Sequence, residues 1–323
     1  MDKTKISIVG AGLVGSTIAH TLMLSSLVTE IVLVDANMEK AEGQAMDLNH
    51  CIPSMMPVKV KAGNYAECAG SKIVIITAGV VQQQNESRLM LTKRNSEIFM
   101  SIIDELKKYC KDSIILVVTN PVDVLTYVVN QLMGIESKRV IGTGTVLDTA
   151  RFRYLLSEYI KVDSRNIYGY IIGEHGDSSV PVWSVTNVSG IDIDNYLKRD
   201  SKTSRMRMLI HKEVVDSAYK IIEKKGSTYY GIAVAVRNVV EAVLRNQNSI
   251  FTVSSYMQGP YGIYDVCLSL PTVINSSGVE RVLEINLSSE EIRKIQNSAN
   301  QIKSVISELK GSILPEDKLC GSL

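Results

Sequence analysis

The chain has no surplus of charge of either sign, no paired cysteines and no long apolar run, and each lack closes off a class of protein. Thirty-five Lys and Arg stand against thirty-four Asp and Glu, a formal charge of +1 over 323 residues. So nearly neutral a chain offers no general field for nucleic acid or an anionic membrane, and any anion site must be local. The five cysteines, Cys51, Cys68, Cys110, Cys267 and Cys320, are odd in number, widely spaced and never in a CxxC pair. That spacing argues against a disulfide framework and against zinc, so no metal is expected and a reducing cytoplasm suits the thiols best. No apolar stretch reaches the roughly 18 residues needed to span a bilayer, and MDKTK runs into ISIVGAG without a small-residue cleavage site. The expectation is a cytoplasmic protein with no nucleic-acid or membrane partner. Internal repeats and low-complexity linkers are also lacking.

What the chain does have is a 45% hydrophobic fraction and length for two ordinary domains. In the first half, short β-rich runs at 6–10, 30–35, 59–63, 72–79, 113–120 and 139–144 alternate with helical patterns such as VGSTIAHTLMLSS, LTKRNSEIFMSIIDELKKYC and PVDVLTYVVNQLM. Continuous Val/Ile runs mean strands buried on both faces, so the fold class is α/β, a Rossmann-type doubly wound parallel sheet. Pro121 is expected in the first turn of the last of those helices. Beyond about residue 143 the pattern turns mixed, with helices in LDTARFRYLLSEYI and between about 204 and 246, then hairpin-like strands from 250 to 274. Ser288 and Glu291 make a capping box before an amphipathic terminal helix. This divides the chain into a dinucleotide-binding domain at 1–142 and a mixed α+β substrate domain at 143–312. Residues 313–323 form a patternless tail, either unstructured or foreign to the protein.

GAGLVG places Gly10, Gly12 and Gly15 in a G-x-G-x-x-G pattern between a strand and a helix. Such loops also serve plain tight packing. Asp35, twenty residues beyond Gly15 at the end of the second strand, favours a dinucleotide, because a carboxylate there accepts ribose hydroxyls. Glycines let backbone amides approach a pyrophosphate, and the helix N-terminus favours its charge. Asp35 would repel a 2′-phosphate, so NAD is expected over NADP, with Lys40 near enough in sequence to leave a question.

In the second half, DTARFR sets Asp148 and Arg151 three residues apart on one helix face, which by itself is the spacing of a solvated ion pair. GEHGDS carries His175 on a glycine-flanked turn, where a lone histidine is more often structural. Beside a nicotinamide site the three acquire a joint chemistry. Reduction of a 2-oxo acid needs a proton for the carbonyl oxygen, and histidine supplies it near neutrality. Asp148 would favour the charged ring and Arg151 would grip the substrate carboxylate with two parallel bonds.

GAGLVG, VVTNPVDVLTY, GTGTVLDTARFR, IIGEHGDS and KGSTYYGIA, in this order over nearly the whole chain, resemble the L-lactate dehydrogenase branch of the lactate/malate dehydrogenase family. The resemblance implies His175 as proton donor and acceptor, Asp148 as its partner, Arg151 as carboxylate clamp, and Asn120 and Thr228 as substrate-pocket residues. It implies cofactor contacts at Gly10, Gly12, Val14, Gly15, Asp35, Lys40, Tyr65, Gly79, Val80, Ser101, Thr119, Asn120 and Thr143. It makes the segment after Gly79 a mobile lid whose Arg88 closes on the carbonyl oxygen; without it, Arg88 reads as an exposed loop arginine. Gln82 stands where the family chooses its substrate, and glutamine there suits pyruvate rather than oxaloacetate. A homotetramer is implied as well.

The chain also departs from the family. Gln83, Gln84 and Asn85 replace the usual Lys-Pro-Gly of the lid, which leaves room for a larger 2-oxo acid. Arg153 matches one anchor for fructose 1,6-bisphosphate, an activator of bacterial relatives, but Tyr168 replaces the histidine of the other, so activation is expected to be weak or absent. The alternatives are a malate or broader L-2-hydroxyacid dehydrogenase and, from another class, a nucleotide-binding protein that keeps the fold without catalysis.

Overall fold

A computed structural model describes residues 4–80, 88–197 and 201–310. The first half alternates as the sequence leads one to expect: β1 (Lys5–Val9), α1 (Leu13–Leu24), β2 (Glu30–Val34), α2 (Met38–His50), β3 (Lys59–Ala62), β4 (Ile73–Ile76), α3 (Arg88–Tyr109), β5 (Ile114–Val117), α4 (Val122–Leu132), β6 (Val140–Gly142) and α5 (Val146–Ile160). The six strands are parallel in the order β6-β5-β4-β1-β2-β3. Side-chain alternation explains the two covered faces. Ile6, Ile8, Ile31, Leu33, Ile73 and Ile75 pack on one side with α1 and α2. Val32, Val34, Val74, Ile76, Ile115 and Val117 pack on the other with α3 and α4.

The second half contains five two-residue strands, β7 (Ile167–Tyr168), β8 (Ile171–Ile172), β9 (Val180–Pro181), β10 (Asn187–Val188) and β11 (Ile191–Asp192), with a short α6 (Ile193–Leu197). The long helices α7 (Ser201–Lys225) and α8 (Tyr230–Leu244) follow, then β12 (Ser249–Gln258), β13 (Tyr264–Asn275), β14 (Gly278–Val282) and α9 (Ser289–Lys310). The expected hairpin does not stand apart. Ser254 of β12 pairs antiparallel with Gly142 of β6, so β12, β13 and β14 extend the parallel sheet to nine strands. Helix α8 packs Ala233, Val236, Val239 and Val240 onto the same face as α1.

Two details depart from the sequence expectation. Pro121 is the cap residue before α4 rather than part of its first turn. Helix α2 carries only a thin apolar stripe, Ala41, Ala45 and Leu48 at steps of four and three, and Asn37 caps it by accepting the Lys40 N–H at 3.0 Å. The terminal capping box forms as expected: Glu291 Oε2 accepts the Ser288 N–H and Ser288 Oγ accepts the Glu291 N–H.

Candidate active site

The glycine loop lies at the carboxyl edge of β1 beside β4, where parallel crossovers leave a ligand crevice. Backbone geometry requires its glycines. Gly10 has φ +108°, and a Cβ on Gly15 would fall 1.9 Å from the Gly10 carbonyl oxygen. Thr77 Oγ1 donates to that same carbonyl at 2.9 Å, tying the loop to the end of β4.

Asp35 does more than wait for a ribose. Its Oδ2 accepts the Ala11 N–H at 2.7 Å and its Oδ1 the Asn37 N–H at 2.9 Å, so it braces the loop while each oxygen keeps a lone pair for a hydroxyl. Lys40, in the first turn of α2, reaches back over the loop: a Cβ on Gly12 would lie 3.9 Å from its Nζ. Tyr65 is half-buried nearby; burial, with the charges of Cys68, Glu105 and Asp35 beyond it, raises its phenol pKa. Val14 is partly buried at the start of α1.

Gly79, Val80, Thr119 and Asn120 meet at the neighbouring strand ends. Thr119 Oγ1 donates to Ala78 O, and a Cβ on Gly79 would come 2.5 Å from Thr119 Cγ2. A residue not singled out from the sequence holds this corner. Asn95 of α3, fully buried, accepts the Val80 N–H at 2.8 Å and donates to Asn120 O at 2.9 Å. Thr143 is buried just after β6, its N–H on Val117 O. Ser101 is exposed on α3, and none of these hydrogen bonds includes it.

Helix α5 leaves β6 at the same edge and carries Asp148 and Arg151 one turn apart. Asp148 is buried, and its two oxygens serve two partners: Oδ2 meets His175 Nδ1 at 2.5 Å, and Oδ1 accepts from Arg151 Nη1 at 2.9 Å. This is not a solvated pair, since the Arg151 and Asp148 side chains keep only 13% and 8% of their surface. Burial pushes the Asp148 carboxyl upward, but His175 and Arg151 outweigh it and hold it below its ordinary value. For His175 burial works against the charged ring, and the Asp148 charge and hydrogen bond overcome it, so the imidazole pKa is raised. His175 retains 22% of its side-chain surface, and Nδ1 is committed to Asp148, which leaves Nε2 for a ligand.

The turn bearing His175 is coupled to α5 through β8. Thr149 Oγ1 accepts the Ile171 N–H at 3.0 Å, and Thr145 Oγ1 donates to Ile171 O at 2.5 Å. Asp123, in the first turn of α4, accepts the His175 N–H at 2.7 Å. Asp123 is buried, and desolvation pushes its pKa up to about 6, with the Ser254 hydroxyl and the His175 N–H limiting the rise. The sequence does not mark it, because an acid in a first helical turn needs no other reason than the helix dipole. Thr228 is partly buried between α7 and α8. Gln82 lies outside the described residues, and so does the side chain of Arg88, whose backbone opens α3.

A glycine-cradled crevice with an adjoining acid–histidine–arginine group defines a dinucleotide-dependent dehydrogenase. Comparison with known proteins agrees. Residues 4–142 match the family model for the lactate/malate dehydrogenase NAD binding domain, and residues 145–312 that for the lactate/malate dehydrogenase alpha/beta C-terminal domain. The chain belongs to the lactate/malate dehydrogenase family. L-lactate dehydrogenases of Acetivibrio thermocellus and Thermoanaerobacter pseudethanolicus are each 53% identical over 307 residues, spanning 94% of this chain and 97% and 99% of theirs. Among solved structures, the minor L-lactate dehydrogenase of Enterococcus mundtii superposes with a TM-score of 0.92 at 38% identity, over 95% of this chain and 98% of that one. A lactate dehydrogenase from a Medee basin deep-sea metagenome, MGS-M5, gives the same score at 39% identity, over 96% and 100%.

Proposed function

We propose that the chain is an NAD-dependent L-lactate dehydrogenase that interconverts pyruvate and L-lactate, with His175 and Asp148 as the proton relay. The carrying observation is the Asp148 carboxylate shared between His175 and Arg151 beside the glycine crevice. The crevice fits NAD: Gly10 and Gly15 hold the tight turn, the open side of Gly12 leaves the loop backbone accessible to a pyrophosphate, and Asp35 keeps acceptor capacity for ribose hydroxyls and repels a 2′-phosphate. Lys40 lies over the glycine loop, on the pyrophosphate side. When bound, the reduced cofactor supplies a hydride to the carbonyl carbon of the substrate.

This chain's residues do the rest. Arg151 spends one N–H on Asp148 and has four more, enough for a bidentate grip on the substrate carboxylate. The raised pKa keeps His175 charged toward neutrality, and Nε2–H donates to the carbonyl oxygen and transfers its proton as that oxygen becomes an alkoxide. Asp148 remains ionised throughout and fixes the ring. Asn120 and Thr228 complete the pocket, and Arg88, delivered by a closing lid, adds positive charge to the oxygen. Gln82 selects the monocarboxylate, because the second carboxylate of oxaloacetate would meet an amide instead of a counter-charge.

The cofactor half is placed at 1–142 and the catalytic half at 143–312, the subunits in a homotetramer, and the protein in the cytoplasm, where free thiols such as Cys51, Cys68, Cys110 and Cys267 stay reduced. Arg153 is engaged within its own chain. Its Nε donates to Gly169 O at 3.1 Å, its guanidinium lies 5.6 Å from the centre of the Tyr170 ring, and Tyr168 is exposed beside it. With Arg153 so engaged and Tyr168 offering no cation, a fructose 1,6-bisphosphate site near Arg153 is weak and activation by it is expected to be weak or absent.

NADH oxidation measured with pyruvate, oxaloacetate and longer 2-oxo acids, with and without that bisphosphate, tests the reading. Pyruvate is expected to rank first. Faster turnover of oxaloacetate would move the chain to the malate branch, a preference for a longer acid would make it a broader 2-hydroxyacid dehydrogenase, and NAD binding without turnover would remove catalysis altogether. Arg151→Lys checks the clamp: loss of a charge-assisted bond of about 1.5 to 3 kcal/mol raises KM for pyruvate roughly ten- to hundredfold. A KM within twofold of wild type would dismiss that role.

A further inference from the structure

The turn that carries His175 is fastened from three sides. Gly173 exchanges both backbone hydrogen bonds with Ser269 of β13, at 2.8 and 3.0 Å. Asp123 of α4 accepts the His175 N–H. The third fastening comes from the terminal helix α9, where the Ser298 hydroxyl accepts the Glu174 N–H at 2.8 Å across 124 residues of sequence. Ser298 is fully buried, flanked on α9 by the core residues Ile295, Ala299 and Ile302. Gly173 makes the close approach of α9 feasible. Its φ is +89°, and a Cβ there would lie 2.9 Å from Ser298 Oγ.

Proton bookkeeping fixes the direction of each bond. Ser178 Oγ lies 2.5 Å from Glu174 Oε2 and 2.9 Å from Ser298 Oγ. An ionised carboxylate only accepts, so the single Ser178 proton goes to Glu174. At the remaining contact Ser298 must then donate to Ser178. The result is a directed ring: Glu174 N–H to Ser298 Oγ, Ser298 O–H to Ser178 Oγ, Ser178 O–H to Glu174 Oε2. It begins and ends on Glu174 and ties it to Ser178, so it spans the turn in which His175 sits. Ser298 is its one member from outside the turn. Only a hydroxyl fills this place, because the site demands one acceptor and one donor on the same small atom.

We propose that Ser298 is a positioning residue for the reaction, closing the ring that fixes where the His175 imidazole stands relative to Asp148. This deepens the function proposed above and rests on its assignment of His175 as proton donor. Removing the hydroxyl leaves the Glu174 N–H without its acceptor and releases Ser178, so the turn samples a wider range of positions. A displacement of about 1 Å in a reacting group is enough to cost up to roughly a hundredfold in turnover. Among the described residues, the charged groups acting on the imidazole are Asp148 and Arg151 from α5 and Asp123 from α4. Ser298→Ala leaves their charges in place, so a downward shift of the His175 titration reports a weaker hold by Asp148, whereas water admitted to the ring would shift it upward.

The test uses the full-length protein with NADH, measuring kcat, KM for pyruvate and the titration of His175 by NMR of labelled imidazole. Ser298→Ala is expected to lower kcat about ten- to a hundredfold, to leave KM within about threefold because Arg151 sits on α5, and to move the His175 titration to lower pH. Ile302→Val, which trims the same helix only in its apolar core, is expected to lower the melting temperature without moving kcat or the titration. Ser178→Ala opens the ring from the turn side and should reproduce the change, which keeps the question answerable if Ser298→Ala does not fold. Unchanged kcat and titration in both serine variants, or an equal change in Ile302→Val, would overturn the proposal. Should the wild-type protein not turn over pyruvate at all, the functional reading fails, while the His175 titration still decides whether Ser298 sets the imidazole against Asp148.

Discussion

Replacing His175 by asparagine lowers turnover of pyruvate by about a hundred- to ten-thousandfold, the range a positioned general acid contributes, and leaves NADH binding nearly intact. The expectation follows from elimination as well as geometry. Of the four histidines in the chain, His20 and His50 are exposed on α1 and α2. Burial lowers the His211 pKa, with Ser179 opposing and the Lys294 cation adding to the fall. Among the described residues, only His175 has a buried carboxylate on one ring nitrogen and an open edge for the other. Asparagine keeps a side-chain N–H for Asp148 and the backbone N–H that Asp123 accepts, so the fold should survive while the transferable proton is lost. Steady-state NADH oxidation together with NADH fluorescence titration separates the two effects. Residual turnover within tenfold of wild type would place the proton elsewhere.

Asp148→Asn should act through pH. Burial of the His175 ring favours the neutral form, and the Asp148 charge is the main influence that reverses it. Pyruvate reduction needs the imidazolium, so activity is present below the folded-state pKa of His175 and is lost as pH rises through it. With Asp148 in place that pKa lies above 6.5. With asparagine the burial remains and the attraction is gone, so the falling limb of kcat/KM moves toward acid, beyond what the ordinary histidine value would give. Near neutrality the loss should be large, because each whole pH step by which the limb recedes leaves about tenfold less of the imidazolium. The single carboxamide oxygen can serve only one of Arg151 and His175, so where it turns to His175 a rise in KM accompanies the loss. A falling limb at the wild-type pH would show that Asp148 does not govern the ring.

The parallel half of the fold is legible because strands covered on both faces read as Val and Ile runs; β2 through β6 fall within the marked stretches and β1 begins one residue before its own, while the edge strand β3, KVKA, is marked without being such a run. Helix α2 is not marked, since its buried stripe is thin, Ala41, Ala45 and Leu48, and two of the three are alanines. β14 is not marked either: in GVERV only Gly278 is buried, and Glu280 and Arg281 are exposed. Junction of the two halves into one sheet rests on the single pairing of Gly142 with Ser254, which no local pattern announces. At the site, His175, Asp148 and Arg151 stand out in the sequence because their types match a chemistry and a family pattern. Asn95, Asp123 and Ser298 do not. Each is one polar residue in a helix whose partner lies 25, 52 or 124 positions away, and long-range satisfaction of a backbone group leaves no trace in composition or periodicity. The sequence marks Asp35 as a ribose acceptor, and its second task of bracing Ala11 appears only with the folded loop.

Reduction of a 2-oxo monocarboxylate at the NAD crevice, by the group formed by His175, Asp148 and Arg151, is tested most directly by following NADH loss and product formation together when the protein is mixed with pyruvate. One L-lactate formed for each NADH consumed, at a rate well above that with oxaloacetate, is the result expected. NADH consumed faster with oxaloacetate, or none consumed with pyruvate by a protein that binds NADH, would contradict it.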